Sequence, residues 1–142
     1  MNMDIDENVA KQIADLINAQ NQLSVVYDAT KVLRQKDRYV VRFGEDGRVL
    51  GCVEVKKVQW YQCEVDHLSV HQGAQRKGLG TSLLLEAEGK SRQLGAQIVQ
   101  CTIRAGNMKS ENLFKKNGYI STITYVNPRT GNPVTVYQKA LT

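Results

Sequence analysis

Residues 63–84 read CEVDHLSVHQGAQRKGLGTSLL, and this stretch decides the fold. Its opening, Cys63 to Val70, is an apolar stretch that reads as a β-strand. From Gly78 onward the apolar residues Leu79, Leu83, Leu84 and Ala87 fall on one helical stripe, and Gly95 marks the exit. Between strand and helix stands Gln75-Arg76-Lys77-Gly78-Leu79-Gly80. At such a junction the unpaired backbone N–H groups and the helix N-terminus form a natural anion site. Glycine suits it because a Cβ would hold the backbone away from a phosphate and would penalise left-handed dihedrals. A tight structural loop accounts for the same segment. Two nucleotide-binding loops fail on spacing: no lysine follows the second glycine as a Walker lysine would, and Leu83 occupies the third glycine position of GxGxxG.

Outward from this junction the elements follow in order. Ile5, Val9, Ile13, Leu16 and Ile17 recur at helical spacing behind acids, so residues 5–20 read as an amphipathic helix, with a second short helix at 28–36. Residues 38–43 (RYVVRF) and 49–58 flank the turn signal Glu45-Asp46-Gly47 and predict a hairpin. After the central helix, residues 96–103 (AQIVQCTI) predict a strand, and Asn107 caps a short helix that Gly118 ends. Residues 119–126 and 134–140 are β-rich around a Gly/Pro/Asn turn and close the chain with a hairpin. The order α(α)βββαβαββ makes a mixed α/β domain, and no boundary or repeat divides residues 1–142, which are expected to form a single domain.

Composition narrows the class. The 142 residues are 42% hydrophobic and 23% charged with only two prolines, which excludes a disordered or collagen-like chain. No apolar run approaches the roughly 20 residues that span a bilayer, and the acidic, polar start lacks the basic end and apolar stretch of a secretory signal, so a cytoplasmic address is expected. Cys52, Cys63 and Cys101 sit in strand-like stretches without CxxC spacing and read as buried free thiols. His67 and His71 are four apart on a strand running into a loop, where that spacing does not bring two ligands together, so no metal site is expected. The net charge of +5 leaves a basic body behind an acidic first helix, which suits a polyanionic ligand or a solvated surface.

Two separately spaced motifs carry a resemblance. The segment CEVDHLSVHQGAQRKGLGTSLL, followed by NMKSENLFKKNGY at 107–119, resembles a GNAT-type N-acetyltransferase (acyl-CoA N-acyltransferase) over roughly Arg38 to Leu141. The resemblance implies a GNAT-like fold: a central, mostly antiparallel sheet with a splayed strand pair, flanked by helices. It implies acetyl-CoA as co-substrate, with Leu68, Ser69 and Val70 offering main-chain hydrogen bonds to its pantetheine arm. Gln75, Arg76, Lys77, Gly78, Leu79, Gly80 and Thr81 would surround the pyrophosphate. Asn107 and Ser110 would bond the cofactor from the second helix, and Phe114 would pack at its pantetheine or thioester end. Simple capping by Asn107 and core packing of Phe114 are compatible with these roles.

Acetyl transfer needs a neutral amine, and a lysine amine with a pKa of about 10.4 is neutral about once in a few thousand molecules at pH 7. Glu64 and Asp66 are the candidate carboxylates for taking the proton. Counting by twos puts both on one strand face with Leu68 and Val70, and the six residues from Val70 back to Glu64 span roughly 20 Å in extended geometry. Glu64 also stands where relatives in the resembled family carry a catalytic glutamate. His67, of opposite parity, reads as packed or solvent-facing. The position of Phe114 is often a tyrosine that protonates the leaving thiolate, so Tyr119, Tyr125 or water is left for that step. The expected function is acetyl transfer to a primary amine of a small molecule or protein, by direct attack; an acetyl-CoA sensor and a toxin-like aminoacyl-tRNA acetyltransferase are the alternatives. Trp60 and Tyr61 are expected near the acceptor pocket. No membrane or nucleic-acid partner is expected, and the sequence leaves open whether the chain is a monomer or a homodimer paired through the terminal hairpin.

Overall fold

The computed structural model describes residues 4–21, 25–75 and 77–141. Among them the elements follow the expected order: helices α1 (Glu7–Gln20) and α2 (Ala29–Arg34), strands β1 (Tyr39–Phe43), β2 (Val49–Gln59) and β3 (Gln62–Val70), helix α3 (Leu79–Gln93), strand β4 (Ile98–Arg104), helix α4 (Met108–Lys116), and strands β5 (Ile120–Val126) and β6 (Pro133–Ala140). The strands hydrogen-bond in the order β1-β2-β3-β4-β6-β5. The β1–β2, β4–β6 and β5–β6 pairs are antiparallel and β3–β4 is parallel. The parallel register covers only Gln62–Ile98, Cys63–Val99 and Glu64–Gln100, although β3 runs on to Val70 and β4 to Arg104. No helix of the described residues is long and apolar enough to cross a membrane.

Two expected boundaries shift for local reasons. Gln35 leaves the helical region (φ −126°, ψ 25°), so α2 stops at Arg34 and a single 3-10 turn, Lys36–Arg38, leads into β1. β4 begins at Ile98 rather than Ala96, because the Ala96 N–H still bonds Ser91 at the end of α3 while Gln97 and Ile98 both donate to the Tyr61 carbonyl.

Contacts divide the chain into two compact units, 4–54 with 67–84 and 55–66 with 85–141 among the described residues. In the first, Asp6 caps α1 by accepting from the Val9 N–H at 2.8 Å. Val9, Ala10, Ile13, Ala14, Leu16 and Ile17 then bury one stripe of α1 in a core with Val32, Tyr39, Val49 and Cys52. The start of α3 packs on β2 at Gly51, where an added Cβ would lie 2.8 Å from the Leu83 side chain and 3.2 Å from the Ser69 carbonyl. Glycine is required there by the close approach.

In the second unit β6 lies between β4 and β5 and the core is built from Val99, Cys101, Ile103, Phe114, Tyr119, Val136 and Tyr137. Its apolar packing encloses one charged group, Glu88, which is 2% exposed. Lys139 Nζ reaches both carboxylate oxygens at 2.9 and 3.1 Å, and the Tyr119 hydroxyl donates to Oε2 at 2.9 Å. A buried carboxylate survives only when paired and hydrogen-bonded in this way. The three cysteines are buried and free, as their strand positions suggest. Removing the cation by Lys139→Met should cost about 3 kcal/mol in urea unfolding, because Glu88 stays buried without its partner. The double variant Glu88→Leu/Lys139→Met should recover most of that loss.

Candidate active site

In the first unit the loop after β3 is drawn together by its own side chains. Gln75 Nε2 donates to the Val70 carbonyl at 3.0 Å and to Gln20 Oε1 at 3.0 Å, so its side chain braces the loop. His71 caps the 3-10 turn Gln72–Ala74, its Nδ1 accepting from the Gly73 N–H. Gly78 has φ +76°, a left-handed backbone, and a Cβ built there would meet no atom within 4 Å. The first helical hydrogen bond of α3 runs from the Ser82 N–H to the Gly78 carbonyl. The N–H groups of Leu79, Gly80 and Thr81 therefore precede any intrahelical acceptor. Lys77 is exposed beside them, and Arg76 lies outside the described residues. An open, glycine-started helix end with a neighbouring cation fits a diphosphate.

Just before that loop, β3 departs from the expected alternation. His67 has φ +56°, and it alone among the described non-glycine residues is in the left-handed region. Counting faces by twos from Val70 back to Glu64 does not hold across such a residue, so the shared face inferred for Glu64, Asp66, Leu68 and Val70 is not secured by parity. The His67 ring is held in place: Nε2 shares a 2.8 Å hydrogen bond with the Tyr27 hydroxyl and lies 3.9 Å from Glu54 Oε1. Arg38 meets the other oxygen of Glu54 at 3.5 Å. Burial and then Glu54 push the Tyr39 hydroxyl's pKa well up in the same cluster. Two residues beyond His67, the buried Ser69 spends its side chain internally, donating to the His67 carbonyl at 2.9 Å and accepting from Asn21 at 2.8 Å. The Ser69 side chain is thus engaged within the chain, and the Val70 carbonyl accepts from Gln75.

The second unit holds the carboxylates. Glu64, half-buried, is the last rung of the parallel ladder opposite Gln100, and Gln100 in turn stands opposite Gln138 on β6. Register partners share a face, so these side chains form one row across the sheet. Gln100 Oε1 accepts from Gln62 Nε2 and from Gln138 Nε2, each at 2.9 Å. Asp66 is half-buried two residues beyond Glu64. Burial, and then the fields of Asp66 and Glu64, push the Cys101 thiol up. The glutamine row escaped the sequence reading, although Gln62 and Glu64 share strand parity; pairing Gln100 with Glu64 needs a register that no local pattern supplies.

On α4, Asn107 is an N-cap whose Oδ1 accepts from the Ser110 N–H at 3.4 Å, and Ser110 is half-buried. Phe114 is buried edge-to-face on Tyr119, ring centroids 4.9 Å apart, so core packing accounts for its aromatic side chain. Tyr119 is not free to act as an acid: its proton is directed to Glu88, and burial together with that carboxylate drives its pKa far up. Trp60 is 72% exposed at the β2–β3 turn, edge-on to Tyr61.

Comparison with solved structures finds this fold repeatedly. Ard1 from Thermoplasma volcanium is 19% identical with a TM-score of 0.80, covering 94% of this chain and 93% of that one. Rv2747 from Mycobacterium tuberculosis, in complex with CoA, is 14% identical with a TM-score of 0.77, covering 94% and 96%. The NatC complex bound to Gag peptide and CoA is 17% identical with a TM-score of 0.83, covering 100% and 97%. At these identities the likeness is one of fold. No curated protein matches. The model described as Acetyltransferase (GNAT) family matches residues 9–119, which span both the glycine loop and the Asn107 helix, and the chain therefore belongs to the acetyltransferase (GNAT) family.

Proposed function

We propose that this protein moves the acetyl group of acetyl-CoA to a primary amine by direct attack. The observation that carries this reading is the open start of α3, where Gly78 at φ +76° precedes three N–H groups without helical acceptors. Leu79, Gly80 and Thr81 would hold the diphosphate there, with Lys77 and Arg76 supplying charge. The main chain of Leu68 to Val70 would run beside the pantetheine arm as an adjoining strand does, and Asn107 and Ser110 would contact it from α4. The acetyl-CoA thioester supplies an activated acyl group. Glu64 accepts the proton of the acceptor amine through water, with Asp66 as its neighbour. A leaving thiol with a pKa near 8.5 departs tolerably without a dedicated acid, and water protonates it in place of the engaged Tyr119. Direct attack is supported by the cysteines: burial pushes Cys52 up to about 12 and raises Cys101 further, so neither offers a thiolate nucleophile. Three free buried thiols also suit a reducing, cytoplasmic setting.

A second copy of the chain is the proposed partner. All seven residues of β5, ISTITYV, are exposed at the sheet edge, and the strand carries no charge to deter pairing. Ile120, Ile123 and Val126 are each more than 60% exposed there.

Three outcomes check these proposals. Gly78→Val puts a β-branched side chain on a left-handed backbone at the helix start, so the loop must shift and calorimetry should show acetyl-CoA affinity falling at least tenfold, about 1.4 kcal/mol, with circular dichroism checking that the fold persists; unchanged affinity would remove the loop from the site. Glu64→Gln should lower kcat and flatten its pH profile while acetyl-CoA still binds, as read by thiol release over an amine panel. Binding without thiol release from any amine would favour a sensor, and tight, salt-dependent tRNA binding would favour the tRNA-directed alternative. Light scattering should show a dimer that Ile123→Lys converts to monomer.

A further inference from the structure

We infer that the first unit carries a second ligand site, a cavity between α1, the β1–β2 turn and the segment after β3, and that it takes an aliphatic α-amino acid in its zwitterionic form. None of the residues lining it is assigned to acetyl transfer, so the site stands independently of that reading. The cavity measures about 470 Å³, within the range of small-molecule sites.

Three segments far apart in sequence are bonded together around it. Gln12, Leu16 and Ala19 line it from one face of α1, where spacings of three and four place them. Gln12 Oε1 accepts from the Val49 N–H at 2.9 Å, which ties that face to the start of β2. The His71 N–H donates to the Leu50 carbonyl at 2.7 Å, and Gln75 Nε2 reaches Gln20 Oε1 at 3.0 Å. Leu16, Val49 and Leu50 give the cavity an aliphatic lining. The turn supplies charge. Asp46 and Arg48 stand two residues apart, their Cα atoms within about 7 Å of each other, yet they form no ion pair. Among the described residues the Arg48 guanidinium meets no acceptor. Asp46 Oδ1 accepts from the Arg48 N–H at 3.1 Å, while Oδ2 has no partner among the described residues. His71 Nδ1 accepts from the Gly73 N–H, so the neutral ring carries its proton on Nε2, a further donor. The other lining acid, Asp15, already meets Lys11 at 3.3 Å.

The lining therefore offers donors to an anion, a carboxylate to a cation and aliphatic surface to the rest of a ligand. Inorganic phosphate would satisfy Arg48 but meet the like charges of Asp46 and Asp15, and a polyamine would satisfy the acids but meet Arg48. An α-amino acid answers both signs: its ammonium and carboxylate are held on one carbon, as Asp46 and Arg48 are held on one turn. The guanidinium fork takes the carboxylate in two parallel bonds, Asp46 Oδ2 takes the ammonium, and the side chain lies on Leu16, Val49 and Leu50. Both turn charges are exposed, and exposed ion pairs are individually weak, so the dissociation constant is of the order of 1 mM.

The test titrates the isotope-labelled full chain with L-leucine and follows its amide resonances by NMR. Shifts should concentrate at Gln12, Arg48, Val49 and His71. Two analogues each remove one charge: 4-methylpentanoate lacks the ammonium and 3-methylbutylamine lacks the carboxylate, and each should bind at least tenfold more weakly than leucine. Arg48→Met removes the guanidinium, and Asp46→Asn removes the negative charge while keeping an oxygen for the Arg48 N–H. Either change should weaken leucine binding at least fivefold, and the spectrum of each variant shows directly that it is folded. No shifts up to 20-fold the expected dissociation constant, about 20 mM, would overturn the site. So would shifts confined to residues elsewhere, or leucine affinity within twofold of wild type in both variants. Analogues or inorganic phosphate binding as tightly as leucine would overturn the zwitterion as its ligand.

Discussion

The close approach of α3 to β2 at Gly51 is the constraint on which the start of α3 depends. Leu83 occupies the space that any side chain on residue 51 would need, and the Leu79 side chain lies 3.5 Å from the same point. The first turn of the helix is thereby seated on the strand by its apolar side chains. Its backbone N–H groups are left for other work. Gly78 completes the arrangement from the other side, since its left-handed φ turns the chain into the helix without placing a side chain at the mouth. One glycine permits packing and the other permits approach.

A second constraint lies four residues upstream of His71. The left-handed backbone of His67 costs conformational energy, of the order of 1 kcal/mol for a residue with a Cβ, and its surroundings over-determine it. Tyr27 and Glu54 hold its ring, Arg38 steadies Glu54, and the Ser69 hydroxyl closes on its carbonyl. Strain maintained by several independent contacts is characteristic of functional segments. Here it sits between the proposed proton acceptor and the strand backbone that would flank the cofactor.

Much of this was legible in the linear sequence. Every element was anticipated in order, because strand-rich stretches, helical stripes and terminal glycines are local signals that neighbours several residues apart suffice to express. The glycine loop and the Asn107 cap were legible for the same reason. The side chains of the site were less so. The bonds by which Gln75 braces Val70 and Gln20 could not be read, because they depend on where α1 ends. Tyr119 was a candidate acid, but its hydroxyl is committed to a hydrogen bond with Glu88, 31 residues away, which holds the proton on the phenol. Parity along β3 assumed an extended backbone throughout, and no residue type announced the left-handed φ of His67. The glutamine row depends on register across three strands, which arises only when distant segments pair.

The burial of all three cysteines has a chemical consequence of its own. Any transferase that consumes an acyl thioester liberates a small free thiol beside itself at every turnover, and under mild oxidation such a thiol caps exposed cysteines as mixed disulfides. With its three sulfurs enclosed, this chain gives such a by-product nothing exposed to attach to, so catalysis need not foul the catalyst.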